Sequence, residues 1–255
     1  MNDREKQGSE EKEMPFLEHL EELRRVVIDS LIAVAVVSAG CWFLSGRAID
    51  LLIVPIGKAV FIGPAEAFTV RLKLAVVLGL LISLPFVFLR LWRFVVPGLL
   101  RRERTALLPL ALFSSILFYG GVAFSYFMLV PAIMRILLAF GTDSLEPMIS
   151  IDKYLSLVIQ IGLSLGLVFQ FPLVVGVLTW LGVLTPDSLK RKWRYAIVII
   201  FIIGAAVTPG DGPSQLVVAF PVTGLYFLSI LVSMVVHRRK DAETENDDDD
   251  TENDN

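Results

Sequence analysis

The sequence predicts an all-α protein that crosses a lipid bilayer six times with both chain ends on one side. Three observations carry this. The chain of 255 residues is 55% hydrophobic and 19% charged, against about 45–50% and 25% for soluble domains. Its charges collect at the ends and in a few short segments. Between them lie apolar runs near 20 residues, the length that crosses a hydrocarbon core of about 30 Å.

The elements follow in order. Residues 1–25 form a charged N-terminal region ending in an amphipathic helix. Phe16, Leu20, Leu23 and Val27 recur there at helical spacing, and Pro15 suits a first helical turn. Such a helix is expected to lie at the membrane surface and feed the first span. Residues 26–236 form the membrane domain. Its spans are expected at Val26–Leu44, Leu72–Val96, Thr105–Val130, Tyr154–Leu181, Tyr195–Val207 and Leu216–Val236. Pro131 is expected to end the third, leaving Ala132–Phe140 as an interfacial helix. Asp50, Pro55, Gly57 and Lys58 interrupt Ala48–Ile62, which should be surface helix and loop. The fifth and sixth spans stand out, the fifth by its thirteen residues, about 20 Å of helix, and the sixth by Pro221 and Gly224. Residues 237–255 form a tail whose last fifteen residues hold nine acidic groups, so the chain's net charge of −3 becomes +6 without them. That composition predicts a solvated, disordered segment.

Lysine and arginine set the orientation. Arg4, Lys6, Lys12, Arg24 and Arg25 precede the first span. Arg90, Arg93, Arg101, Arg102 and Arg104 fall between the second and third, Lys190, Arg191, Lys192 and Arg194 between the fourth and fifth, and Arg238, Arg239 and Lys240 after the sixth. That side collects 17 of the 23 basic residues, which makes it cytoplasmic and puts both termini there. The first span is too long for a cleaved leader and reads as a retained anchor.

Few side chains could do chemistry at depth. The histidines, His19 and His237, belong to the cytoplasmic surface, and neither His-Glu-x-x-His nor G-x-S-x-G occurs. The single cysteine, Cys41, reads as an apolar filler. No cofactor, metal or nucleic-acid partner is expected, nor an enzymatic activity. A small-molecule permease is the main alternative, because Pro85, Pro172 and Pro221 could break helices at a midplane site. No match between the halves and no intramembrane carboxylate supports it. A structural scaffold is the third reading. The polar residue set deepest is Gln170, in L-G-L-V-F-Q-F-P, an amide that needs a hydrogen-bond partner in hydrocarbon.

Several strings, in this order, resemble the twin-arginine translocase subunit TatC family. They are H-L-E-E-L-R (His19–Arg24), V-P-I (Val54–Ile56), A-F-T-V-R-L-K (Ala67–Lys73), L-W-R-F-V-V-P-G-L-L-R-R-E-R (Leu91–Arg104) and F-Y-G-G-V-A-F-S-Y-F (Phe118–Phe127). F-Q-F-P (Phe169–Pro172), G-V-L-T-P-D-S-L-K-R-K-W-R-Y (Gly182–Tyr195) and V-T-P-G-D-G-P-S-Q (Val207–Gln215) follow. The resemblance covers about Phe16 to Val236. It implies a non-enzymatic core subunit for export of folded proteins across the bacterial cytoplasmic membrane, driven by the proton-motive force. It implies a cupped six-span wall that binds twin-arginine signal peptides on the cytoplasmic face. It also implies assembly with single-span subunits of the TatA and TatB type and with further copies of itself.

Residue by residue, the resemblance assigns Glu22, Arg24, Phe94 and Glu103 to signal-peptide binding. Carboxylates suit that task, because each pairs bidentately with a guanidinium. Glu22 could instead pair with Arg24 or Arg25, and Glu103 with Arg101, Arg102 or Arg104. Gln170, Tyr126 and Gln215 match intramembrane polar positions that could meet partner helices or bond neighbouring helices. Pro55, Phe68 and Asp211 match far-side loop and assembly positions, and Asp211 could simply cap a tight turn. The family usually has glutamate where this chain has Gln170. An amide keeps the hydrogen bonding and cannot ionise.

Overall fold

In the computed structural model, residues 3–95, 107–141, 148–208 and 212–253 are described, with side chains described within 19–238. The chain is helical and forms two compact units, Met1–Ile116 and Leu117–Asn255. Among the described residues, four helices are long and apolar enough to cross a bilayer, the bent pair His19–Cys41 and Ser45–Ile53 is a fifth when counted as one span, and Trp193–Val207 is a shorter apolar helix. Each of the six expected spans thus falls on one of these apolar helices. Leu31 and Val36 are each 68% exposed, and many other large apolar side chains also face outward. Such a surface fits lipid, where no hydrophobic cost attaches to it.

In the first unit, α1 (Asp3–Cys41) is one helix of 39 residues. The amphipathic segment and the first span are therefore continuous, where a surface helix feeding a separate span was expected. Nothing in Leu20–Ser38 carries a proline or glycine to interrupt the backbone ladder. The chain then turns by 80° into α2 (Ser45–Ile53), held by Ser45 Oγ donating to the Trp42 carbonyl at 2.7 Å. Gly57, at φ +73°, takes the left-handed turn that follows. Cys41 is buried as an apolar filler.

The span α3 (Glu66–Val95) packs along α1. A Cβ on Gly79 would meet the Ser38 side chain and come within 2.6 Å of the Ser38 Cα and backbone nitrogen. Only glycine permits that approach, the means by which membrane helices gain packing without a hydrophobic drive. At the other end of α3, buried Trp92 donates its indole N–H to Ser114 Oγ at 2.7 Å. Ser114 belongs to α4 (Leu107–Phe124). A buried indole needs such an acceptor.

The third span differs from expectation at Pro131. It runs as one crossing of 33 residues, Leu107–Ala139. A π-helical turn, Ser125–Leu129, joins α4 to α5 (Val130–Ala139). Val130 donates to the Ser125 carbonyl, five residues back. The wide turn lets Pro131 sit in the first turn of α5, where its missing N–H costs nothing. Pro131 thus redirects the ladder without ending it, and Ala132–Phe140 is no separate interfacial helix.

In the second unit, α6 (Ile151–Val168) is capped by Ser150 Oγ accepting from the Lys153 N–H. It continues into α7 (Phe171–Trp180) after a turn at Phe169–Gln170. A Cβ on Gly121 would lie 2.8 Å from the Leu165 carbonyl, and one on Gly166 2.7 Å from the Phe118 ring. The core gathers Leu129, Ile133, Ile161, Leu165 and Val218. Then come α8 (Pro186–Arg191), the short α9 (Trp193–Val207), about 22 Å long, and α10 (Gly212–Asn253). Buried Thr179 and Ser233 hydroxyls meet at 2.8 Å between α7 and α10. The backbone of α10 stays helical to Asn253, where composition argued for a disordered tail. No glycine or proline follows Gly224, so nothing stops the ladder, although clustered acids oppose the helix dipole at a C-terminus.

Candidate functional site

On one face near the basic end of the first unit, α1 and α3 bring three side chains together. The His19 ring stacks on Phe94, centroids 4.3 Å apart and planes 9° from parallel. Glu22, one helical turn along α1, places Oε2 3.7 Å from His19 Nδ1. His19 and Glu22 are exposed and Phe94 half-buried, so carboxylate, imidazole and phenyl present one continuous polar-to-apolar surface.

The arginines nearby are engaged by a different acid. Arg24 bonds both oxygens of Glu21 at 3.4 and 3.5 Å, and Arg25 Nε lies 3.8 Å from Glu21 Oε1. Glu21 stands three and four residues before these arginines, both pairing positions on a helix, whereas Glu22 has that spacing only to Arg25 and turns instead to His19, three residues back. The sequence left Glu22 open to pairing with Arg24 or Arg25. The contact it makes among the described residues is to His19. These pairs are exposed and contribute only about 0–1 kcal/mol each.

Deeper along the same helices, Arg90 reaches Asp29 at 3.1 Å and lies 5.2 Å from the Phe86 ring centroid. Sequence reasoning missed this pair. The signal was available in one acid, Asp29, a turn inside the first span, but its partner 61 positions away was not. The pair joins α1 to α3 one turn below Phe94, in the register in which His19 meets Phe94.

The remaining assigned residues lie elsewhere. Glu103 and Asp211 fall outside the described residues. Phe68 is 60% exposed and packs its ring against Trp42, 5.6 Å between centroids. Pro55 is exposed in the turn after α2. Tyr126 belongs to the π-helical turn and lies edge-on to Phe127. Gln170 is buried at the α6–α7 turn. Gln215 donates to the Phe201 carbonyl at 2.8 Å, joining α10 to α9. Gln160, which the sequence did not single out, does the same from α6 to the Ala206 carbonyl of α9 at 3.0 Å. The short helix α9 is thus held by amide side chains on both neighbours. No group of three or more His, Cys, Asp or Glu suited to a metal occurs among the described residues.

Comparison with known proteins places the chain among relatives. A family model described as "Sec-independent protein translocase protein (TatC)" matches residues 18–221. The Sec-independent protein translocase protein TatC of Carboxydothermus hydrogenoformans is 38% identical over 232 residues, covering 89% of this chain and 96% of that protein. The chloroplastic TATC of Pisum sativum is 35% identical over 222 residues, covering 85% of this chain and 63% of that longer protein. A crystal structure described as the twin arginine translocase receptor TatC superposes with a TM-score of 0.78 at 33% identity, over 86% of this chain and 99% of that one.

Proposed function

Since the chain belongs to the TatC family of Sec-independent protein translocase proteins, we propose that it is the twin-arginine translocase core subunit that receives signal peptides on the cytoplasmic face. The observation that carries this reading is the Glu22–His19–Phe94 surface. Glu22 stands clear of Arg24 and Arg25, which Glu21 engages, so its carboxylate is available to a ligand guanidinium. Phe94 offers an apolar contact for the segment beyond the arginines. Arg24 acts indirectly, by keeping Glu21 occupied. Glu103 supplies the second carboxylate, and the basic bias of the loop around it puts this face in the cytoplasm with both termini.

The subunit nucleates a complex with single-span partners of the TatA and TatB type and further copies of itself, and the proton-motive force drives export. Gln170, Tyr126 and Gln215 offer polar groups at depth to partner helices, and Pro55, Phe68 and Asp211 serve assembly on the far side. The work is binding and assembly, without bond-making chemistry. A permease is set aside, since the similarity to TatC proteins runs over nearly the whole chain.

The test is binding of a twin-arginine peptide and its twin-lysine counterpart to the detergent-purified full chain. Wild type should prefer arginine, and both Glu22→Gln and Glu103→Ala should lose the preference. Equal binding of the two peptides to wild type would overturn the receptor reading.

A further inference from the structure

The fourth-to-fifth connection and the end of the last span enclose an open groove of about 500 Å³ in the second unit, lined by Lys190, Trp193, Phe227, Ile230 and Leu231. The function proposed above does not use it. We propose that this groove is a binding site for one anionic phospholipid, with the headgroup phosphate at Lys190 and an acyl chain along α10.

The groove is built rather than incidental. Tyr226 donates its hydroxyl to the Leu189 carbonyl at 2.7 Å, which pins the last turn of α8 to α10 and holds the next residue, Lys190, at the groove mouth. Leu189 also packs on the buried cluster of Ile200, Ala219, Tyr226 and Ile230, so the groove floor at Ile230 is fixed from behind. Phe227 and Leu231, about half exposed, form the walls one turn apart on the same face of α10. Trp193 also lines the groove, and the Arg194 guanidinium lies 5.7 Å from its ring centroid.

Depth and charge select the occupant. Leu231 lies seven residues before Arg238, about 10 Å of helix, so the apolar walls descend from the membrane surface into the acyl region. Tryptophan belongs at that interface and lysine reaches outward from it. Lys190, Arg191, Lys192 and Arg194 carry four positive charges within five residues, against one acid, Asp187. Asp187 sits 4.0 Å from Lys190 and is almost fully exposed, so water screens it and it does not close the site. A zwitterionic lipid would fill the apolar walls equally well. The basic cluster is what distinguishes an anionic headgroup, by about fivefold per basic residue near it.

The full chain, purified in detergent and exchanged into bicelles of equal phosphatidylglycerol and phosphatidylcholine, tests this by mass spectrometry of the retained lipid. No signal peptide is present, so the outcome is independent of the receptor reading. Wild type should retain phosphatidylglycerol over phosphatidylcholine by about fivefold or more. Lys190→Gln should lower that ratio by about fivefold with total lipid maintained. Leu231→Trp, which fills the groove, should reduce the retained lipid itself, while Lys58→Gln should change neither. Equal retention of the two lipids by wild type overturns the proposal. So does a preference that Lys190→Gln leaves undiminished, or one that Lys58→Gln lowers as much.

Discussion

The His19 imidazole lies flat on the Phe94 ring, 4.3 Å between centroids and 9° from parallel, joining the start of the first span to the end of the second. The same imidazole faces Glu22 at 3.7 Å. One side chain therefore sets the position of both an acid and an aromatic ring that the ligand is proposed to touch. Stacked pairs contribute about 0.5–1.5 kcal/mol, so His19→Ala should weaken twin-arginine peptide binding by up to about tenfold. His19→Phe, which keeps the stack, should recover most of that loss. Titration of the purified variants with labelled peptide checks it, and equal affinities for wild type and His19→Ala would remove the positioning role.

Adjacent glutamates should behave differently. Glu22→Gln removes a carboxylate offered to the ligand and should cost about 1.5–3 kcal/mol of binding, the range for a hydrogen bond to a charged group. Glu21→Gln removes only the exposed pairs with Arg24 and Arg25 and should cost less than about 1 kcal/mol. The same titration separates them, and a larger loss at Glu21 would reverse their assigned roles.

The α1–α3 crossing should be intolerant at Gly79. Gly79→Ala should destabilise the first unit by about 1–3 kcal/mol through overpacking. Ser38→Gly should fail to rescue it, because a Cβ there also lies 2.6 Å from the Ser38 backbone. Thermal unfolding in detergent measures both. Full rescue by Ser38→Gly would mean that only the serine hydroxyl was in the way.

Between α7 and α10, Thr179 and Ser233 share a buried hydrogen bond at 2.8 Å. A double-mutant cycle of Thr179→Val and Ser233→Ala should give a coupling of about 0.6 kcal/mol, the average for such pairs in a membrane. A coupling of zero would show that each hydroxyl is satisfied by its own helix, as Thr179 already is in part through the Val175 carbonyl.

Gln170 is buried at the turn between α6 and α7. Gln170→Glu should leave assembly with a single-span partner intact, and Gln170→Leu should lower the yield of the complex. Co-purification with a tagged partner measures this. Equal yield from all three proteins would show that the position needs no polar group.

What the sequence by itself determined is the set of segments and their chemistry. Apolar length marked the six crossings, because spanning hydrocarbon demands it. The short fifth helix followed from counting thirteen apolar residues, and Glu22 and Phe94 stood out through the strings around them. Expectation parted from structure where local rules compete. Pro131 reads as a stop, yet a π-helical turn just before it supplies the room that proline needs. The amphipathic segment reads as separate from the first span, yet an unbroken hydrogen-bond ladder makes them one helix.

Only the tertiary structure decided which side chains meet. Arg90 and Asp29 lie 61 positions apart, and His19 and Phe94 lie 75 apart, so no periodicity could pair them. Those contacts go with a close crossing farther along the same two helices, where Gly79 lets α3 press against Ser38 of α1. The choice of Glu21 over Glu22 as partner for Arg25 was also decided by the structure, since spacing offers Arg25 both acids and Glu22 faces His19 instead. Residue types state what a surface can bind, and helix packing states where that surface is.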